Sequence, residues 1–319
     1  MSTFNQGHAL VVGIGGDLPG TLDDAQALAD VLIAPGRCAY PPGQVHLLTG
    51  EQATCAAILS TLDTLAQSIS SQSTVLIYFS GHGYRVTSSM GTAYFLLPHG
   101  YDLADLAGTC IRGDEFTAKL RAISARQLLV LLDCCRAGGI GEPKAPGLTF
   151  AKSPLPPEAE AILAEGQGRV IVASCREDEV SLAGKPYSAF TVALLEALSG
   201  KGVDVQDGFV RVSDLVLHAR EVVPQRTGGK QHPTIKFHQA DNFAVAYYAG
   251  GAKEPQPLTF PLDPATAAVP EPPARVDLRG ARVGGSVIVG DLTVDRGGTF
   301  VGRNQVFIEG DRQETGSDQ

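Results

Sequence analysis

Residues 75–84 read VLIYFSGHGY and residues 128–139 read LLVLLDCCRAGG, two apolar runs that each end in side chains able to do chemistry. Short, β-branched and aromatic runs closed by glycine predict buried strands. His82 follows the first run between two glycines, and Asp133, Cys134 and Cys135 follow the second. In open α/β sheets, ligand and catalytic groups lie outside the carboxyl ends of the strands. Both segments therefore deliver polar side chains to one edge. A thiol becomes a useful nucleophile only beside a base or a cation, and His82 is the base offered here. Taken singly, the histidine reads as a strand-turn cap and each cysteine as a small packed hydrophobe; taken together they read as base and nucleophile.

Working outward, further apolar runs at residues 8–12, 45–48 and 170–173 alternate with helical periodicities. That pattern predicts an α/β fold, a mostly parallel sheet flanked by helices. Ile58, Leu62, Leu65 and Ile69, spaced four, three and four, mark one face of a helix, as do Leu28, Val31 and Leu32. Ser213 reads as the N-cap of a helix carrying Leu215, Val216, Ala219 and Val222, and Asp114 as the N-cap of one carrying Leu120 and Ile123. Residues 94–97 read as a hairpin arm. The Gly/Pro-rich stretch 139–168 is a connecting loop between a large part, about 1–138, and a small part, about 169–248, and a connection of that length is usually functional. From about residue 249 to 274 the chain turns rich in Pro and Ala, the composition of a semi-rigid linker. Residues 275–310 approach period two, with Gly290-Asp291 as a turn, and predict a small β module. The last residues, 311–319, read as a disordered tail.

The whole chain has 319 residues, 44% hydrophobic and 18% charged, which places it in the globular class with enough length for an unstapled core. Its net charge of −9 argues against nucleic acid or anionic lipid as a partner. The N-terminus lacks a basic region and its apolar run is cut by glycines, so neither a signal peptide nor a membrane span is expected, and the reading is cytoplasmic. Six cysteines without a CxxC pair exclude a zinc ribbon and a secreted disulfide framework. VVGIGGDLPG, residues 11–20, has two glycines of a dinucleotide fingerprint, but Leu18 stands where the third belongs. No GxxxxGK[ST], HExxH or GxSxG occurs, which leaves nucleotide binding, metallopeptidase and serine hydrolase chemistry without support.

From about residue 7 to about residue 248 the chain resembles the caspase-like cysteine peptidases, in particular their metacaspase, orthocaspase and paracaspase branches. The resemblance rests on YFSGHGY for the histidine, on DCCRAG for an Asp-x-Cys-x-x-Gly nucleophile loop and on IRGDEF ahead of the helix that leads into the Cys strand. The 53 residues separating His82 from Cys135 agree with the spacing of about 50 in caspases. The resemblance implies a caspase-hemoglobinase-like sheet, Cys135 as nucleophile and His82 as acid–base. Backbone N–H groups of Gly83 and Cys135 would form the oxyanion hole. It assigns no third catalytic residue. Asp24 and Glu179 match paracaspase acids by spacing and, with Asp133 two residues before the nucleophile, imply an acidic S1 pocket suited to arginine, with lysine second; taken singly, Asp24 reads as a helix N-terminal acid and Glu179 as a solvated loop charge whose place Asp178 could take. No metal or cofactor is implied, and calcium stimulation, known in many metacaspases, is left open. Partners would be protein substrates with exposed Arg or Lys, an upstream activating protease that cuts the 139–168 loop, unless the enzyme itself cuts at Lys144, Lys152 or the following Arg169, and a recruiting partner of the β module. The composition and attached module fit a bacterial regulatory protease in stress or defence signalling. The competing reading is a catalytically idle caspase-like scaffold.

Overall fold

The structure, a computed structural model, describes residues 2–134, 136–137, 148–154, 156, 168–237, 242–255, 293–294 and 300–301. In chain order the elements begin β1 (Gly7–Gly13), α1 (Gly20–Ile33), β2 (Val45–Thr49), α2 (Cys55–Ser68) and β3 (Thr74–Ser80). There follow β4 (His82–Ser88), β5 (Gly91–Leu97), α3 (Leu106–Thr109), β6 (Ile111–Arg112), α4 (Gly113–Ala122) and β7 (Gln127–Asp133). Next come β8 (Arg136–Ala137), β9 (Thr149–Lys152), β10 (Arg169–Ala173), β11 (Ser181–Leu182) and α5 (Ala189–Leu198). The remainder is β12 (Phe209–Arg211), α6 (Val212–Arg226), β13 (Thr234–Phe237), β14 (Ala244–Tyr247), β15 (Thr293–Val294) and β16 (Phe300–Val301).

Six strands form the central sheet in the order β13-β10-β7-β3-β1-β2. All pairings are parallel except β10 with β13. The five expected strands are all present. The sixth, β13, escapes a reading for apolar runs because an edge strand alternates polar and apolar residues, here as Thr-Ile-Lys-Phe. Successive strand residues face opposite sides of the sheet, and the core divides accordingly. Ala9, Val11, Leu76, Tyr78, Leu129, Leu131 and Val172 pack with α1, α5 and α6 on one face. Leu10, Val12, Ile77, Phe79, Val130, Leu132 and Ile171 pack with α2 and α4 on the other.

A second sheet, β6-β5-β4-β9, grows from the hairpin of which residues 94–97 are one arm. Its outer strand β9 lies inside the 139–168 stretch and pairs antiparallel with β4, Lys152 opposite Tyr84. Two caps differ from expectation. Ser213 sits within the first turn of α6, because the Asp214 carboxylate reaches back to accept the Arg211 N–H at 2.8 Å and starts the helix there. Asp114 likewise lies inside α4, where it forms an exposed pair with Arg112 instead of capping.

The chain divides into two compact units, Met1–Pro270 and Glu271–Gln319. In the first, residues just past β14 remain tied down: Ser2 N–H donates to Gly250 C=O, Gly250 N–H to Arg37 C=O, and the buried Tyr248 hydroxyl to Lys253 C=O. The folded unit thus runs past residue 249, the expected start of the linker. In the second unit β15 and β16 pair antiparallel. The Gly290-Asp291 turn and the tail at 311–319 lie outside the described residues.

Candidate active site

The histidine and cysteine segments leave adjacent parallel strands at the same level. Ser80 of β3 stands opposite Asp133 of β7, two residues before each candidate, and Gly81 N–H donates to Asp133 C=O at 3.2 Å. His82 opens β4 and is 3% exposed. Gly83 follows because nothing larger fits. A Cβ there would lie 2.6 Å from Ser153 O and 3.2 Å from Cys134 Cβ, and would collide with the Tyr94 hydroxyl. Ser153 N–H in turn donates to Gly83 C=O at 3.0 Å, so the segment after β9 closes over the histidine strand. Cys134 is fully buried, and its C=O accepts the Ser174 hydroxyl at 3.4 Å. Cys135 lies outside the described residues. The chain beside it runs past Gly83 at Cys134 and pairs with Ser181 at Arg136.

His82 presents two different nitrogens. Nε2 is 2.7 Å from Asp17 Oδ2, whereas Nδ1 is buried and has no hydrogen-bond partner among the described residues. Tyr84 and Tyr101 border the ring, with centroids 5.7 and 6.3 Å away. Burial raises the Tyr101 phenol above its ordinary range, and the nearby Asp17 charge raises it further. Asp17 was not among the expected site residues. Its only sequence signal is the GlyGlyAsp turn of residues 15–17, which reads first as a failed nucleotide loop.

Two of the three expected S1 acids meet. Asp24 and Asp133 are fully buried and share Ser188. Its N–H donates to Asp24 Oδ1 at 2.9 Å and its hydroxyl to Asp133 Oδ2 at 2.6 Å. Ser181 gives Asp133 a second hydroxyl donor at 2.6 Å. Asp24 is not a first-turn helix acid, since Asp23 holds that place in α1. Glu179 turns to other partners: its carboxylate accepts from His232 N–H at 2.7 Å, stands 2.6 Å from His232 Nδ1 and accepts from Arg176 N–H.

The remaining cysteines are packing groups. Burial pushes the Cys110 thiol up to about 12 and raises Cys38 and Cys55 as well, so these thiols stay protonated and unreactive. Cys175 is also buried. Among the described residues no cluster of three or more His, Cys, Asp or Glu could hold a metal ion. No described helix is long and apolar enough to cross a membrane.

Residues 6–244 match the sequence model of the family described as Peptidase_C14, Caspase domain. Among solved structures, the chain is similar to the protein GSU0716 from Geobacter sulfurreducens, with TM-score 0.51 and 15% identity over 77% of this chain and 98% of that one. It is also similar to the Drosophila initiator caspase Dronc, with TM-score 0.49 and 12% identity over 79% and 86% of the two chains. No curated protein sequence matches.

Proposed function

The chain belongs to the caspase-domain family, and from that premise we propose that it is a cysteine endopeptidase that cleaves protein substrates after arginine, with lysine second. The observation that carries this reading is the meeting at one sheet edge of the Asp133-Cys134 end of β7 and a buried histidine whose Nδ1 has no partner among the described residues. In the proposed reaction the Cys135 thiol proton passes to His82 Nδ1 and Sγ attacks the scissile carbonyl carbon. The developing oxyanion is held by the N–H groups of Gly83 and Cys135. Collapse breaks the C–N bond as Nδ1 returns its proton to the leaving amine, and water then hydrolyses the thioester with His82 as base.

Arg preference is supported by Asp24 and Asp133 converging on Ser188. Two carboxylates held on one residue offer a planar guanidinium paired acceptors, which an ammonium uses less well. In this reading Glu179, hydrogen-bonded to His232, contributes from the rim. Processing of the 139–168 loop would regulate the enzyme, and a role in bacterial stress or defence signalling extends the reading to the cell.

The test is turnover of fluorogenic peptides ending in Arg, Lys or Asp, beside Cys135→Ala. Cys135-dependent cleavage fastest after Arg supports the proposal. Absence of any such turnover, before and after limited proteolysis, would leave the idle scaffold as the better reading.

A further inference from the structure

We propose that Asp17 is a positioning residue that holds His82 in the Nε2–H tautomer and so presents the bare Nδ1 to the nucleophile. The inference rests on the peptidase reading and supplies the third member that the sequence did not assign.

The geometry is asymmetric. Asp17 Oδ2 lies 2.7 Å from Nε2, while Nδ1 is buried without a partner among the described residues. An ionised carboxylate only accepts hydrogen bonds, so Nε2 must carry the proton and Nδ1 the lone pair in the neutral ring. When Nδ1 takes a proton, the resulting imidazolium sits against the Asp17 charge at 18% side-chain exposure, where water screens it little. Among the described residues the titratable groups facing the ring are Asp17 from the β1–α1 turn, Tyr84 from β4 and Tyr101 from the segment after β5. Of the three, only Asp17 brings a carboxylate.

The turn is built to hold that carboxylate still. Gly15 and Gly16 have φ of +65° and +62°, a region that L side chains rarely enter. Leu18 N–H donates to Gly15 C=O at 3.0 Å. The buried Thr21 hydroxyl accepts from Gly15 N–H and donates to Leu18 C=O, both at 2.8 Å. Two glycines and a threonine thus clamp both sides of Asp17, which accounts for the motif that failed as a nucleotide loop.

Two measurements test this. The first is steady-state kinetics of Asp17→Asn, Asp17→Ala and Asp17→Glu with an Arg peptide, beside thermal melts. Asn and Ala should lower kcat by up to about 10⁴-fold, the loss when the aspartate of a Ser-His-Asp triad becomes asparagine, with KM within about threefold and Tm little changed, and Glu should recover part of the loss. The second is the ¹⁵N spectrum of His82 in Cys135→Ala at about pH 8.5, above the ordinary imidazole range, the signal being assigned by its loss in His82→Gln. Protonated Nε2 with bare Nδ1 is expected, and loss of that preference on adding Asp17→Ala. An active wild type whose Asp17→Asn variant keeps kcat within about twofold, or an Nδ1–H tautomer, would overturn the inference. A wild type without Cys135-dependent turnover would overturn the peptidase reading instead, and the spectrum would still decide whether Asp17 sets the tautomer.

Discussion

At the scale of single residues, close packing limits what can replace the groups at the sheet edge. Gly83→Ala would drive a methyl into Ser153 O and the Tyr94 hydroxyl, neither of which can retreat without moving β9 or β5. We expect a stability loss of about 1–3 kcal/mol and a fall in kcat/KM of more than about tenfold, read by urea titration and peptide kinetics. Asp133 carries two duties. Deleting its carboxylate as Asp133→Ala would remove one acceptor from each of the buried Ser181 and Ser188 hydroxyls, which keep Gln231 and Thr191 as partners, at about 0.5–1.5 kcal/mol per lost hydrogen bond. The informative variant for specificity is therefore Asp133→Asn, which keeps an acceptor and removes the charge. Its kcat/KM for an Arg peptide should fall much further than that of Glu179→Ala, whose carboxylate already faces His232. Equal losses in the two would place Glu179 in the pocket proper.

At the scale of elements, α5 and α6 are locked by Glu196. Its carboxylate, 3% exposed, accepts from Lys201 at 2.8 Å and Arg226 at 2.7 Å and stands 2.8 Å from His218 Nε2. Burial alone would raise the Glu196 carboxyl, but the hydrogen bonds from His218, Arg226 and Lys201 outweigh it and hold the group down at about 2. Because the folded value lies below the ordinary 4.5, the stabilisation is present in full above that pH and is lost as pH falls toward 2. Thermal melts of wild type and Glu196→Gln should differ most near neutral pH and converge in acid. Glu196→Ala, which leaves Arg226 buried without its acceptor, should cost about 3–5 kcal/mol. The connecting stretch offers a second test. Lys152 is paired in β9, and the Arg169 guanidinium donates to Leu120 and Ile123 carbonyls at the start of β10. Both are poor protease sites, since cleavage needs an unpaired extended chain. Fragment masses after activation should place cuts at neither; a dominant cut at Lys152 would mean that β9 detaches from β4 before processing.

At the scale of the whole molecule, two units divide the chain at Pro270. The ties of Gly250 to Arg37 and of Tyr248 to Lys253 put residues 249–255 within the first unit. A chain ending after Pro270 should therefore keep the melting temperature and the peptide turnover of the full protein, whereas one ending at Tyr248 should melt lower because it strips those ties. If the chain ending after Pro270 folds but loses turnover of a small peptide, the second unit takes part in shaping the active site.

By itself the sequence determined the five parallel strands, their alternation with helices and the delivery of His82 and the Asp133–Cys134 segment to one edge. Those features follow from local periodicity and from the chirality of β-α-β connections, which need no knowledge of distant contacts. The meeting of Asp24 with Asp133 was legible only as an expectation from matched spacing. What brings them together is Ser188, more than 50 residues from either, whose place is set by the packing of α5 on the sheet. The edge strand β13, the pairing of β9 with β4 and the partner of His82 Nε2 were decided by the tertiary structure alone. An aspartate in a glycine turn has the same local propensities whether or not a histidine 65 residues away lies within 2.7 Å of it. The register of β1 against β3, Gly13 beside Ser80, brings the two segments together, and the turn clamped by Thr21 then places the carboxylate.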